Sequence, residues 1–357
     1  SGGTAQGVLL EGARTNLALQ SETFGTTWGV SAASISSNTG ATTDPAGGNN
    51  ADAIVEDGTP AVPHRVSQSM SVTTGTAYTL SVYAKQGARR YLQLVFGTTL
   101  FPVNAYGNFD LQSGTIVSTG AAATSSITPA ANGFYRVMIT ATAAGTGLNS
   151  QFINPSADGS SANFDGVNTQ VATYLWGAQL EAGAFASSYI PTTTGSANRV
   201  ATSLTRSWNF PSNNVSGQMV VRPRYASTDT SGYYTFLSLN YDSTNNNIQI
   251  YKDPTSGRIY VNLKTAGNQV LPYITESWAA GDRLNIRFRK SAAGLKLWVN
   301  TTSVESTIST AKADWTNAPT AIDMGRNPAA GAWGYQAVES LTIWNEAKSD
   351  AFLEALE

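Results

Sequence analysis

The groups that could do chemistry in this chain are few and poorly grouped. Its one histidine, His64, sits in PHRVSQS. A lone imidazole can serve as a general base, yet Ser-His-Asp hydrolysis also needs a serine on a recognisable turn and an acid in support, and neither accompanies it. The pattern favours a structural histidine. Glycoside cleavage by paired carboxylates needs two acids ~5 to 10 Å apart, which strands supply from alternate positions facing one cleft. The nearest groupings, Glu56-Asp57 and Asp350 with Glu354, read instead as a turn and a solvated helix face. The chain has no cysteine, so disulfides and thiolate metal sites are excluded.

Recognition is the chemistry that remains. A sugar ring offers one apolar face and an edge of hydroxyls, and its binding calls for aromatic rings flanked by hydrogen-bonding side chains. Tyr83 and Lys85 point away from the Leu80/Val82 side of their run, and Tyr91 and Gln93 read as belonging to the adjacent strand. With Phe101 and Tyr106 from TLFPVNAYGN they make a candidate concave face and rim. The alternative is that Phe101 and Tyr106 close the core while Tyr83 packs on a neighbouring sheet. Tyr260 and Trp298 lie opposite the inward residues of their strands and are expected on an outer sheet face. An exposed aromatic asks for a partner, whether a sugar, the other domain or a second copy. Arg89-Arg90 is a small basic spot suited to an acidic polysaccharide, or solvated turn chemistry, since neighbouring strand residues face opposite ways.

The elements that must position these residues are strands. Period-2 alternation places Tyr78, Leu80, Val82 and Ala84 on one face and Thr79, Ser81, Tyr83 and Lys85 on the other. It recurs at Tyr135, Val137 and Ile139, at Ile259, Val261 and Leu263, at Leu284, Ile286 and Phe288, and at Leu295, Leu297 and Val299. Turn residues such as Gly75, Asn132-Gly133, Ser256-Gly257 and Ala293-Gly294 separate the runs. The expected fold is all-β: two antiparallel β-sandwich (jelly-roll) domains in series, residues 1–204 and 205–357, with a short C-terminal helix. Ser349 or Asp350 would cap that helix, with Phe352, Leu353 and Leu356 on the side that docks onto a sheet. Polar stretches 38–50 and 154–168 read as loops, which often carry binding function.

Lys and Arg total 21 against 23 for Asp and Glu, a net charge of −2, so no basic field exists to hold nucleic acid. No apolar run approaches the ~18 residues of a membrane span. Charged residues make up 12%, about half the usual share, a profile of extracellular β proteins. Ser1-Gly2-Gly3-Thr4 lacks the basic start and apolar core of a signal peptide, so an extracellular role is expected by another route, such as release of a particle by lysis.

Ordered motifs carry a resemblance. LLEGARTNLALQSETF, TTW, HRVSQSMSVTTGTAYTLSVYAK and YLWGAQLEAGAFASSYIPT, together covering most of residues 7–200, resemble the carbohydrate-binding-module-like jelly roll of many phage and prophage tail or fibre proteins. WAAGDRLNIRFRKSAAGLKLWVN, IDMGRN and GYQAVESLTIWNEAKSDAFLEAL resemble a laminin-G or concanavalin-like domain. The two-domain arrangement is similar to phage adhesion proteins. The resemblance implies a non-enzymatic virion protein, in tail, fibre or spike, that binds a bacterial surface glycan, contacts other virion proteins and acts as a homo-oligomer. It implies no cofactor beyond a structural calcium, for which Glu22 and Glu181 are the candidate ligands, or else structural surface acids. A purely structural virion component and a polysaccharide-degrading enzyme are the alternatives. The acid triplet of concanavalin-like enzymes and the lyase Arg, Gln-His and Tyr motifs are missing.

Overall fold

A computed structural model describes residues 8–202, 204–207, 214–230, 232–242, 246–254, 257–265, 268–292, 294–307, 321–324, 326–327, 332–333 and 336–356. Ser256, Ala293, Gly325, Gly334 and Tyr335, which belong to the turns and motifs above, lie outside the described residues. The fold is all-β, in antiparallel sandwiches closed by one short helix at the C-terminus. The chain divides into two compact units, Arg14–Arg199 and Val200–Glu357 with Ser1–Ala13.

In the first unit two six-stranded sheets face each other. One runs Thr115–Thr119, Tyr106–Asp110, Tyr91–Phe96, Gly147–Ser156, Arg65–Val72, Gly29–Ser31, and the other Thr124–Pro129, Tyr135–Thr142, Ala77–Gln86, Val171–Ala182, Asp52–Glu56, Ala33–Ser36. The alternating residues Leu80, Val82 and Ala84 of one sheet and Leu92, Leu94 and Phe96 of the other are buried in a single core. Phe101 belongs to that core. It is 2% exposed and stacks on Phe96 with centroids 4.3 Å apart, so it is not available as a rim for a ligand. Burial of so large a ring on the loop side outweighs its exposure at a loop edge.

The turn between Gln86 and Tyr91 carries the chain from one sheet to the other. A side chain at Gly87 would meet the carbonyl oxygen of Val171 at 2.6 Å, so only glycine fits that crossing. The two arginines after it are clamped to opposite sheets. Arg89 makes a bidentate pair with the buried Glu56, at 2.5 and 2.7 Å, and Arg90 binds Asp110. The expected basic spot is therefore neutralised by carboxylates, and Glu56 is a buried partner rather than an open turn residue.

The longest strand, Val171–Ala182, holds the feature that shapes the unit. Leu175 and Leu180 both enter the core although they lie five apart, an odd interval that a regular strand cannot accommodate on one face. A register shift between Trp176 and Gln179 supplies the extra residue. Gly177 takes φ +63° there. The bulge leaves Trp176, Gln179 and Glu181 facing away from the core that Leu175, Ala178 and Leu180 enter.

The opening and closing segments of this unit lock through Asn16, which is fully buried. Its amide donates to the carbonyls of Ala178 and Ile190 and accepts from the amides of Ala18 and Leu180, satisfying the side chain completely. The residues just before it go elsewhere. Val8–Leu10 was expected in the first domain, but it pairs with Gln336–Val338 of the second unit and buries Leu10 there.

That second unit again has two main sheets. One contains Gln336–Trp344, Val215–Pro223, Leu284–Lys290, Gly294–Val299 and Thr302–Thr307, and the other is centred on Tyr234–Asp242, Asn246–Lys252 and Arg258–Thr265. The helix Asp350–Glu354 is capped by Ser349, whose hydroxyl accepts from the amide of Phe352. It docks on a polar row of the first sheet. Arg287 donates to the carbonyls of Leu353 and Leu356, Asn285 and Gln218 also donate to Leu356, and Asp350 is held by Lys296 and Arg289. Of the three apolar residues expected to dock, Leu353 is buried while Phe352 is exposed, because adjacent helical residues point about 100° apart. Trp298 is overturned as an exposed aromatic: it is 1% exposed, with its indole N–H donating to Glu354.

Three outcomes follow from these contacts. Trp298→Ala is expected to lower stability by about 3–5 kcal/mol, read as a reduced urea midpoint. Gly177→Ala places a methyl group 3.0 Å from Tyr83 Cδ2 in a left-handed backbone. It is expected to cost about 1–2 kcal/mol and to alter the near-ultraviolet circular dichroism of the aromatic cluster. The Asp110 carboxyl is held far below its ordinary value of 3.8, first by the hydrogen bond from Arg90. Its folded-state value is depressed, so the stability it contributes is present above 3.8 and lost as the pH falls below that value. Asp110→Asn should therefore flatten the acid limb of a stability-versus-pH curve; an unchanged limb would contradict the pairing.

Candidate functional site: an aromatic cleft on the first unit

The outward face of the Ala77–Gln86 sheet carries a second, smaller apolar cluster. Phe134 and Trp176 are buried in it, with Tyr83, Tyr174 and Tyr189 packed against them. Above it opens a cleft of about 440 Å³ lined by Tyr83, Trp176, Tyr189 and Arg136, with residues 45 and 46 on one side and 128–131 on another. Tyr83 and Trp176 are direct cross-strand partners. Their rings meet edge to face at 5.3 Å, Tyr189 closes on Trp176 at 4.7 Å and on Tyr83 at 6.1 Å, and the three planes are mutually tilted into a cup.

Each wall is fixed by buried hydrogen bonds. Tyr189 follows the long strand, and the two side chains turned outward by the bulge secure that segment: Gln179 accepts from the amide of Ile190, and Glu181 takes the amide and the hydroxyl of Ser187. The phenol of Tyr189 donates to Glu22 at 3.0 Å, so the hydroxyl of Ser21, 2.6 Å away, donates to the phenol. Burial is the main reason that this phenol titrates well above its ordinary value of 10.0 and stays a neutral donor. Arg136, on the strand beside Tyr83, donates to the carbonyl of Ser187 at 2.7 Å and to the hydroxyl of Ser81 at 2.9 Å, and its guanidinium lies 5.4 Å over the Tyr83 ring.

The loop over residues 38–50 supplies the remaining wall. Asp44 gathers the amides of Ala46, Gly48 and Asn50 on its carboxylate, giving the loop an internal frame. Lys85 ties it down, donating to the hydroxyl of Thr42 and to the carbonyl of Asn132, while Asn132 donates to the carbonyl of Asp44. Lys85 thus braces the cleft rather than lining it. Beneath this lining two N–H groups, the indole N–H of Trp176 and the Nε–H of Arg136, are closed to solvent and have no protein acceptor.

The sequence brought Tyr83 to this place and scattered its companions. Tyr91, Gln93 and Tyr106 do not share a face with Tyr83 and Lys85, because the crossing at Gly87 puts them on the opposite sheet. There Gln93 sits in a row with Asn108 and Asn154, accepting from the Asn154 amide at 3.3 Å, with Tyr106 and Tyr91 in the flanking rows. Tyr260, in the second unit, is partly exposed, stacked on Tyr251 at 5.5 Å and tilted against the exposed Tyr273 at 5.2 Å. Trp176, Tyr189 and Arg136 were missed. The first two stand in YLWGAQLEAGAFASSYIPT, and the signal was Trp-Gly inside a strand, a bulge pattern that aims a large ring outward.

Catalytic and metal chemistry find little here. His64 is fully buried, its ring nitrogens against the carbonyls of Ala32 and Phe164, with the Phe164 ring tilted 34° against it at 4.5 Å. The carboxylates of Glu22 and Glu181 serve separate protein donors, and Glu181 is filled by Ser187 and Gln179. Such a donor set does not fit calcium, which needs several free oxygens converging on one point. Among the described residues no group of three or more His, Cys, Asp or Glu could hold a metal ion.

No family model and no curated protein matches the chain. Among solved structures it is similar to the native heptameric SAP-like pentraxin from Limulus polyphemus, at 10% identity over 41% of this chain and 70% of that one, with a TM-score of 0.34. It is also similar to the botulinum neurotoxin serotype G binding domain, at 15% identity over 43% of this chain and 39% of that one, TM-score 0.35. A third likeness, at 10% identity over 44% and 39% with a TM-score of 0.36, is to a structure described by the dependence of botulinum neurotoxin type C cell entry on two ganglioside molecules. The chain thus spans about two fifths of these neurotoxin chains. Likeness of this degree decides nothing about function, and the fold rests on the strand pairing itself.

Proposed function

We propose that this is a non-enzymatic glycan-binding protein, and that the cleft of Tyr83, Trp176 and Tyr189 holds the saccharide. The observation that carries the reading is a preformed aromatic cup, lined also by Arg136 and set on a sheet. An apolar sugar face fits against a tyrosine ring, and hydroxyl oxygens can accept from the guanidinium of Arg136, which lines the cleft. A framed wall and bonded phenol keep the ordering cost of binding low.

The motif resemblance supports a finer statement: the chain belongs to a phage virion, in a fibre, spike or tail, and attaches it to a bacterial surface polysaccharide. Several copies on one particle would raise a weak per-site affinity by ~10² to 10⁴ without a new contact. The burial of His64 supports a binding role over hydrolysis.

Glycan-array and cell-envelope binding with the intact chain test the proposal. Wild type is expected to bind, and Tyr83→Ala to weaken binding by about tenfold or more, equivalent to ~1.4 kcal/mol, with a retained far-ultraviolet β signature and a cooperative thermal transition above the assay temperature as the folding control. Absence of binding by the intact assembly would favour a purely structural virion role. Release of reducing ends from the bound polymer would replace the non-enzymatic reading with a degradative one.

A further inference from the structure

We infer that the cleft selects saccharides bearing a carboxylate, and that Arg136 makes the selection; this rests on the cleft being the glycan site and names the class of sugar it takes. Among the described residues of the first unit Arg136 shares with Arg65, which lies over Phe152 on the other sheet, the lack of an ion pair, and of the two only Arg136 lines the cleft. Arg14, Arg89 and Arg90 each lie against a carboxylate, those of Glu181, Glu56 and Asp110. Arg136 has only neutral partners, the carbonyl of Ser187 and the hydroxyl of Ser81, and its Nε–H has none.

No acid answers it from the cleft. The lining is aromatic and aliphatic apart from Thr128 and Arg136. The acids of the neighbourhood are committed elsewhere: Glu22 to the Tyr189 phenol, Glu181 to Ser187, and Asp44, beside Pro45 on the rim, to three amides of its own loop. A half-buried cation thus lines an otherwise apolar cup with only neutral protein partners.

Ligand chemistry follows from that inventory. A sugar hydroxyl can accept one hydrogen bond but leaves the guanidinium charge unanswered. A carboxylate is acceptor-only, offers several lone pairs and carries the compensating charge, so it answers Arg136 in the way Glu56 and Asp110 answer Arg89 and Arg90. A ligand with a carboxylate beside an apolar ring face is an acidic sugar, a uronate or a sialate. Neutral glycans would leave a partly desolvated cation unpaired, which costs affinity relative to the acid.

Calorimetric titration of the full chain tests this, using oligosaccharides of glucuronate, galacturonate, mixed mannuronate and guluronate, and sialic acid, each beside its carboxyl-reduced counterpart. At least one acid is expected to bind about tenfold or more tighter than its reduced form, a difference of ~1.4 kcal/mol. R136Q should abolish the ratio, while Tyr83→Ala lowers the affinity for both forms. The wild-type ratio needs no variant, so it decides even if R136Q folds poorly. Equal binding of acid and reduced forms overturns the selection and leaves glycan binding in place. Selectivity that survives in folded R136Q overturns the role of Arg136. Binding of neither form overturns this inference and the glycan reading together.

Discussion

One extra residue in one strand organises the first unit. Leu175 and Leu180 must both reach the core, and the odd interval between them is reconciled by the bulge at Gly177. The consequence reaches beyond local backbone. With the parity shifted, Gln179 and Glu181 turn away from the core and capture the amides of Ile190 and Ser187, and Tyr189 and the acceptor for Arg136 are set in place with them. The same glycine provides the clearance that lets Tyr83 and Tyr189 approach the strand. Packing inside the sandwich and the shape of the cleft outside it are thus two results of one constraint.

The hydrogen bonds around the cleft divide by completeness. The supports are satisfied: Asn16 uses its whole amide, Asp44 fills its carboxylate with loop N–H groups, and Lys85 ties two loops together. Trp176 and Arg136, which line the cup, each keep a solvent-closed N–H without a protein acceptor, and Asn108, Ser125, Asn154 and Thr173 keep unpaired buried atoms away from it. A buried donor left without an acceptor is costly, on the order of 1–3 kcal/mol.

In the second unit the polar groups serve closure instead. Gln218, Asn285 and Arg287 form a row on one sheet and collect the last carbonyls of the chain, while Trp298 is sealed beneath the helix. Among its described residues Tyr251, Tyr260 and Tyr273 pack ring against ring across neighbouring strands. An aromatic on the outer side of a strand is therefore free or covered according to what the chain brings over it later.

The sequence by itself determined the secondary structure and the inward side of each regular strand, because alternation of apolar residues is a local property read at a period of two. Leu80, Val82 and Ala84 went inward and Tyr83 outward as that period requires, and the lone His64 was legible as structural. Only the tertiary structure decided which outward residues meet. Tyr83 and Tyr91 are eight residues apart and end on opposite sheets, whereas Tyr83, Arg136, Trp176 and Tyr189 converge from three strands and a loop spread over more than a hundred residues. Which residues come together depends on strand order, on one bulge and on the loops and helix that fold over the sheets, and these long-range pairings leave no periodic trace in the local order of amino acids.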